Sequence, residues 1–313
     1  MLIINKILKN INEPENKFLI SCGLKISSIY LIILFIFYYL TWIVISLNSI
    51  YLESQIPSFT EDIRNDFIAQ SMTMLFEQFT IVLLSLIMLF FAGMYIGKVL
   101  LRPFEVIGEY SISQVEGKET IYNVDLFSDY RLLTNFSDIF FDYVKGCLGL
   151  MELSAREIPK HYLGIHKPKF EKVFFVHFFV LIIILSTVSG LFLYNVSTQI
   201  HADLIDKLLH ILKQDSSNIG YFLGQQIVIF DSIVITVILS LFISYVLLSF
   251  HLYSKVSGAI FAFFSTMRSF MRGRFSSRVH LVGYGHIRKN GRAFNKFLDH
   301  IERQCSIDHN NRK

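Results

Sequence analysis

Charged residues are scarce in this chain of 313 residues, because Asp, Glu, Lys and Arg make up only 17% of it. A soluble domain typically has about 25% charged and roughly 45–50% apolar residues. Here 53% of the residues are hydrophobic and 31 are Phe. The shortage of charge therefore excludes an ordinary soluble domain and favours a chain that places much of its surface in lipid.

Cysteine is also rare. Cys22, Cys147 and Cys305 stand alone, and none belongs to a C-x-x-C pair. This spacing predicts neither a disulfide framework nor a zinc cluster. His161 and His166 lie close together in the sequence, but no third ligand accompanies them, so we interpret them as parts of a solvated basic linker.

Motifs for catalysis and cofactor binding are missing as well. Gly108 and the pair Gly117-Lys118 lack the spacing and the Ser or Thr of a phosphate-binding loop, and no nucleophile elbow or metal-protease pattern occurs. The net charge of +4 comes with no nucleic-acid-binding module. We therefore predict a protein that is not an enzyme, has no catalytic residues, and binds no cofactor, metal or nucleic acid.

The chain has long apolar runs instead. Four of them reach the roughly 20 residues that a helix needs to cross a bilayer. They are Ser28–Tyr51, Phe79–Leu101, Val173–Val196 and Ile227–Tyr253. The first exceeds the apolar core of a signal peptide, about 7–15 residues, so we interpret it as a retained anchor. The sequence thus predicts an all-α protein with four transmembrane helices in contact with the lipid bilayer.

Lys and Arg are distributed unevenly around these runs. Residues 1–27 contain four, residues 102–172 nine and residues 255–313 twelve, whereas the other two loops contain only Arg64, Lys207 and Lys213. Cytoplasmic loops carry the excess of positive charge. Both termini and the middle segment are therefore expected in the cytoplasm, where the three thiols stay reduced.

The order of segments occurs twice along the chain. Each half has a span, a short outer loop, a second span and a polar segment. Pro103 precedes Gly117 by fourteen residues and Ala259 precedes Gly273 by the same number, an offset of 156 residues between the pairs. This pattern indicates an internal duplication. The outer loops, each under about 30 residues, are expected to be helical extensions of the spans.

The second polar segment has the pattern of two helices joined by an extended connector. Apolar residues recur every three or four positions on both sides of the connector. Gly273 suits the end of the first helix, because glycine tolerates the left-handed conformation of a helix stop. The first stripe is Val256, Ile260, Phe263, Met267 and Phe270, the connector carries Val279 and Leu281, and the second stripe is Ile287, Phe294, Leu298 and Ile301.

The first polar segment follows the same plan more loosely. After Pro103 and Gly117 it has an apolar seam with 3-4-3-4-3 spacing, which suits coiled-coil packing. The seam consists of Leu133, Phe136, Phe140, Tyr143, Cys147 and Leu150.

The order of these elements resembles the HAMP linkers of bacterial sensor kinases and chemoreceptors. In both, a membrane span is followed by a helix, a glycine, an extended connector and a second helix. VSGAI looks like the entry motif of that family, RGRF like its glycine step, and AFNKFLDHI like its second-helix signature. Ala259 stands where proline is usual, Gly285-His286 stand where an Asp-Glu pair is usual, and the first segment lacks the Ala-Phe-Asn signature. The seam and connector residues implied by the resemblance are Pro103, Gly117, Ala259, Ile260, Met267, Gly273, Phe275, Val279, Ile287, Phe294, Asn295 and Leu298.

The resemblance implies signal transduction at the bacterial inner membrane. In this family two chains pair four short helices into a parallel bundle, which shifts between packings when the membrane helices move. Because this chain has two such segments, we expect self-association or a pseudo-dimer within one chain. Neither residues 151–171 nor the end of the chain has room for a catalytic module, so a separate cytoplasmic signalling protein is the expected partner.

These expectations divide the chain into seven segments. They are a cytoplasmic leader (1–27), a first transmembrane hairpin (28–101), a divergent HAMP-like segment (102–150), a linker (151–171), a second transmembrane hairpin (172–253), a second HAMP-like segment (254–305) and a tail (306–313).

Two other functions fit parts of the sequence. Asp231 is the only acidic residue inside a predicted span, and intramembrane ionisable groups are functional candidates. A small transporter or channel is therefore one alternative, although the spans contain few polar groups and no broken helices. A membrane scaffold whose hairpins do not switch is the other.

Overall fold

The computed structural model describes residues 12–55, 60–77, 79–118, 122, 131–165, 172–212 and 216–309. Within these ranges most residues are helical and none lies in a strand, which confirms the all-α prediction. The helices are α1 (Pro14–Gln55), α2 (Glu61–Glu77), α3 (Phe79–Val115), α4 (Arg131–Leu150), α5 (Lys160–Leu163), α6 (Lys172–Leu212), α7 (Ser216–Met271) and α8 (Arg288–His309).

Four of these helices are long and apolar enough to cross a membrane. The candidate spans are Pro14–Tyr51, Phe79–Val115, Phe178–Gln199 and Val228–Met271. Large apolar side chains such as Phe35, Leu84 and Leu247 are more than 60% exposed, which suits contact with lipid tails. The chain is therefore a candidate multi-pass membrane protein, and the four apolar runs of the sequence all lie in long helices.

The sequence explains where α1 begins and why α3 is unusual. Pro14 occupies the first position of α1, where its missing N–H costs nothing, and Glu15 adds a favourable negative charge to the first turn. Pro103 lies inside α3, which continues to Val115. A proline at this position removes the backbone hydrogen bond to residue 99 and weakens the helix locally.

The chain forms two compact units. Unit 1 comprises Met1–Cys22, Met94–Val180 and Ser249–Lys313. Unit 2 comprises Gly23–Gly93 and Leu181–Leu248.

Glycines allow close helix packing inside unit 2. A Cβ on Gly23 of α1 would lie 2.7 Å from the carbonyl oxygen of Phe90 in α3. A Cβ on Gly190 of α6 would lie 3.3 Å from Ile238 Cγ2 in α7. Small residues of this kind bring helix backbones together in membranes, where dispersion contacts rather than the hydrophobic effect drive association.

Two glycine stops in unit 1 have the same geometry. Gly117 follows α3 with φ +69° and Gly273 follows α7 with φ +91°, so both adopt the left-handed conformation predicted for Gly273. The Lys118 N–H donates to the Ser113 carbonyl (2.9 Å), and the Arg274 N–H donates to the Ser269 carbonyl (3.1 Å). The two glycine N–H groups each donate to a carbonyl three residues earlier, at 3.2 and 3.0 Å. Both stops are therefore Schellman motifs.

Gly273→Ala is expected to destabilise unit 1, because an L-residue in the left-handed region costs about 1–2 kcal/mol. Gly146→Ala provides the matched control: Gly146 lies within α4 with no atom near its would-be Cβ, so alanine should stabilise by roughly 0.5–1 kcal/mol. Thermal unfolding of the detergent-solubilised chain would measure both. Equal midpoints for the two variants would contradict the assigned role of Gly273.

Candidate functional site

An aromatic core joins four helices of unit 1. Its centre is Phe294 of α8, which is fully buried. The Phe294 ring lies 5.7 Å from the ring of Phe140 in α4 and 5.5 Å from that of Phe263 in α7. Phe104 of α3 completes the set, because its ring lies 5.5 Å from Phe263.

Further ring pairs connect the same helices. Phe136 of α4 meets Phe264 of α7 edge to face, at 4.7 Å between centroids. Tyr110 of α3 meets Phe141 of α4 at 4.5 Å. Such pairs contribute about 0.5–1.5 kcal/mol each beyond the burial of their area. The end of α3, one face of α4, the end of α7 and α8 thus share one core within a single chain.

Most of the predicted seam lies in this core. Pro103 is buried within α3, and the apolar stripes predicted for the second segment are buried as well. Those named by the sequence are Val256, Ala259, Ile260, Phe263, Met267, Phe270, Ile287, Phe294, Leu298 and Ile301. Ala259 has no exposed surface, so its small side chain is enclosed although the family pattern has proline there.

The prediction is wrong for one residue of the seam. Leu150 is 76% exposed, whereas the other five members of the α4 seam are buried. Leu150 is the last residue of α4, and Met151 follows it with φ +51°, so the chain turns away from the core there. Phe141 and Val144, which the sequence analysis did not include, are buried in α4 instead.

The connector is held against α8 by a pair of hydrogen bonds from Asn295. The Val279 N–H donates to Asn295 Oδ1 at 2.8 Å, and Asn295 Nδ2 donates to the Val279 carbonyl at 3.0 Å. Phe275 packs against Phe270 with its ring centroid at 5.3 Å. The sequence named all of these residues, and the structure brings them together at the α7–α8 connector.

An ion pair that no sequence pattern had indicated reinforces the connector. Arg278 Nε donates to Asp299 Oδ1 at 2.7 Å, and Arg278 Nη2 donates to Glu302. Burial lowers the pKa of Arg278, but the hydrogen bonds to Glu302 and Asp299 outweigh it and raise that pKa. Asp299 and Glu302 are three residues apart on α8, a spacing that places two acids on one helix face and could have indicated a cationic partner.

The predicted linker is mostly exposed, and part of it contacts the end of α7. The Arg156 N–H donates to the carbonyl of Met271, the last residue of α7, at 2.9 Å. Ile158 and Tyr162 are buried, and Arg268 donates to the carbonyls of Tyr162 (3.2 Å) and Ile165 (2.5 Å). Six of the ten residues from 156 to 165 are exposed, His161 among them, so the prediction of a solvated linker holds there, whereas Ile158 and Tyr162 are buried.

Other contacts tie the same stretch to α4. The Tyr143 hydroxyl donates to the Ser154 carbonyl at 2.8 Å, and burial raises the pKa of that hydroxyl, so it stays a donor at neutral pH. His161 is exposed and lies beside Tyr162, while His166 falls outside the described residues.

The start of α1 docks on the start of α8, which no sequence pattern indicated. The rings of Phe18 and His286 stack at 4.3 Å, and Asn290 Nδ2 donates to Glu15 Oε1 at 3.2 Å. Burial lowers the pKa of His286, a backbone hydrogen bond with Lys255 opposes this, and the charge of Lys255 adds to the lowering. His286, at a position where the HAMP pattern has an acid, is therefore a neutral stacking group at neutral pH.

Asp231, named as a candidate from the sequence, is not part of this core. Asp231 lies in the unit 2 portion of α7 and is exposed. The three cysteines are buried and form no disulfide. Among the described residues no group of three or more His, Cys, Asp or Glu is arranged to hold a metal ion.

No protein-family model, curated protein or solved structure matches this chain. The function is therefore inferred from the contacts described above.

Asn295→Ala is expected to release the connector, because it leaves the Val279 N–H and carbonyl without their partner. An unsatisfied buried polar group costs about 1–3 kcal/mol. Hydrogen exchange followed by mass spectrometry should show faster exchange in the peptide that contains Val279, with little change in α3. Gln304→Ala, at an exposed position of the same helix, serves as control. Unchanged exchange around Val279 in the Asn295 variant would contradict the clamp.

Proposed function

We propose that this chain is a signal-transduction protein of the bacterial inner membrane with both termini in the cytoplasm. Its two HAMP-like segments form one four-helix bundle within a single chain, and the bundle relays movements of the transmembrane helices to a separate cytoplasmic protein. The observation that carries this proposal is the aromatic core that joins α3, α4, α7 and α8.

The matched glycine stops support the duplication that the proposal requires. Gly117 and Gly273 are 156 residues apart, and so are the carbonyl acceptors Ser113 and Ser269. The second helices also begin at nearly corresponding positions, since residue 131 plus the offset is 287 and α8 begins at Arg288. Equivalent helix ends at a constant offset favour two copies of one structural unit.

Contacts between the two segments support a pseudo-dimer. Phe104 and Phe140 belong to the first segment, and Phe263 and Phe294 belong to the second, yet their rings meet. A helical hairpin has only one apolar face and needs a second layer to cover it. In this chain the second segment provides that layer for the first.

The helices themselves provide a path for a signal. α3 and α7 each contain a candidate span and continue, as unbroken helices, to the two glycine stops. Packed helical cores change between discrete arrangements rather than deforming continuously. Two packings that differ by a few kcal/mol would give a regulated equilibrium that a small displacement of the spans can bias.

An exposed apolar site at the end of α4 suits contact with the partner. Leu150 is 76% exposed and Met151 is 58% exposed. Both follow directly on the buried seam of α4, so a change in bundle packing would move them.

A disulfide between Gly108→Cys and Asn290→Cys tests the pairing within one chain. The Cβ built on Gly108 lies 3.1 Å from Asn290 Cβ, close to the roughly 3.5–4.5 Å of a disulfide, so oxidation should link α3 to α8 after a small adjustment. We expect a monomer of altered mobility in non-reducing electrophoresis of membranes.

Gly146→Cys with Asn290→Cys is the matched control, because nothing lies within 4 Å of the Gly146 Cβ position. That pair should stay reduced under the same conditions. A covalent dimer from the Gly108 pair would show that the segments pair between chains, and no product at all would contradict the proposed bundle.

Spin labels on Asp142 of α4 and Gln304 of α8, both exposed, would test whether the bundle switches. Gly190→Leu introduces a bulky group against Ile238 and should push α6 from α7 in unit 2. We expect this change to shift the distribution of label distances in unit 1, measured by electron spin resonance in lipid nanodiscs.

Leu191→Ala alters an exposed neighbour in the same span and should leave the distribution unchanged. A single distribution shared by all three proteins would favour a rigid scaffold over a relay.

A further inference from the structure

A basic cleft in unit 1 is not used by the proposed relay. It lies between the start of α1, the end of α3 and the first turns of α8, and its volume is about 550 Å³. This size falls in the range of about 300–1,000 Å³ that is usual for small-ligand sites. Four cationic side chains line it: Arg288, Lys289, Arg292 and Lys296.

The cations of the cleft are available to a ligand. All four are exposed, and none forms an ion pair with another residue of the described ranges. Arg288, Arg292 and Lys296 are four residues apart in succession, so they follow one face of α8. The same face therefore presents a row of positive charges that have no ionic partner in the part of the chain that the structure describes.

Acidic residues do not cancel this charge. Glu13 and Glu15 also line the cleft. Four cations against two carboxylates leave an excess of two positive charges. Glu15 is moreover engaged, because its Oε1 accepts a hydrogen bond from Asn290.

The remaining lining residues contribute apolar surface or, at His286, a ring nitrogen that has no hydrogen-bond partner among the described residues. Pro14, Ile112 and Ala293 contribute apolar surface, and Ile112 is 42% exposed. His286 also lines the cleft, and its buried Nε2 has no hydrogen-bond partner among the described residues. The cleft thus combines cations and an orphaned imidazole nitrogen with an apolar surface, which matches a ligand that has an anionic head and an apolar body.

The connector beside the cleft lies near the end of a predicted span. His286 is close to Lys255, and the Tyr284 hydroxyl lies against Gly258. Lys255 is the first Lys or Arg after the apolar run of α7, two residues beyond the predicted end of that span. On the same connector Val282 is 89% exposed. An exposed apolar side chain this close to the predicted end of a span suits the interface between headgroups and acyl chains.

We propose that this cleft binds the phosphate-bearing headgroup of an anionic phospholipid. The four cations attract the phosphate, as juxtamembrane basic clusters do at an anionic leaflet. The apolar surface and the exposed Val282 favour a lipid over a free phosphate ion. This site would tie the start of α8 to the membrane surface, whether or not the bundle acts as a relay.

Binding of a fluorescent phosphatidylglycerol to the full chain in non-ionic detergent, followed by anisotropy, tests the proposal. Arg292→Gln with Lys296→Gln should weaken binding by roughly tenfold or more, because each basic group near the headgroup contributes several-fold in affinity. Arg288→Gln with Lys289→Gln should act in the same direction and provides an independent pair of substitutions. A fluorescent phosphatidylcholine should bind weakly to all variants.

The matched control removes two exposed cations elsewhere in unit 1, in Arg272→Gln with Arg274→Gln. It should leave phosphatidylglycerol binding within about twofold of the unmodified chain. An equal loss in the control and the cleft variants would assign the binding to overall charge and overturn the cleft as a site.

Ile112→Gln separates the lipid from a free anion. It should weaken phosphatidylglycerol binding several-fold without changing competition by inorganic phosphate. If inorganic phosphate displaces the lipid at comparable concentration and Ile112→Gln has no effect, the cleft is a free-anion site and the lipid proposal is wrong.

Discussion

Burial of aromatic rings between the two polar segments is the interaction on which unit 1 depends. Phe294 contacts rings from α4 and α7, and Phe263 extends these contacts to Phe104 in α3. The hydrogen bonds around this core are peripheral to it. Asn295 holds the connector on α8, and Arg268 holds the stretch around Tyr162 on α7. These bonds position the connector and the linker at the periphery of the core. The stability of the core itself comes from apolar burial, the dominant driving force of folding.

His286, which departs from the HAMP-like pattern expected from the sequence, takes part in a packing contact of this unit. His286 stacks on Phe18, while Asn290 donates a hydrogen bond to Glu15. The start of α1 therefore packs on the connector and on the start of α8. A neutral ring is the better choice, because burial penalises a charge without a close partner.

Local features of this chain followed from its sequence, and distant contacts did not. Apolar runs and stripes depend on periodicity, and the stop at Gly273 depends on glycine's own conformational freedom, so both were predictable. The Asn290–Glu15 bond joins residues 275 positions apart, and the Arg268–Tyr162 bond joins residues 106 apart. No pattern in one stretch reveals such a partner. Leu150 was misplaced for a related reason, because seam spacing predicts a face of a helix but not where the chain leaves the core.

The two helices that enter the bundle from the spans are mechanically unequal. α7 has 56 residues and is about 84 Å long at 1.5 Å per residue, far beyond a hydrocarbon core of about 30 Å. Its position corresponding to Pro103 of α3 is Ala259, which keeps its backbone N–H. α3 therefore lacks one hydrogen bond at the point where α7 is continuous, and it bends more easily. In the proposed relay the two helices would therefore respond differently to a displacement, because only α3 has a local weak point, at Pro103.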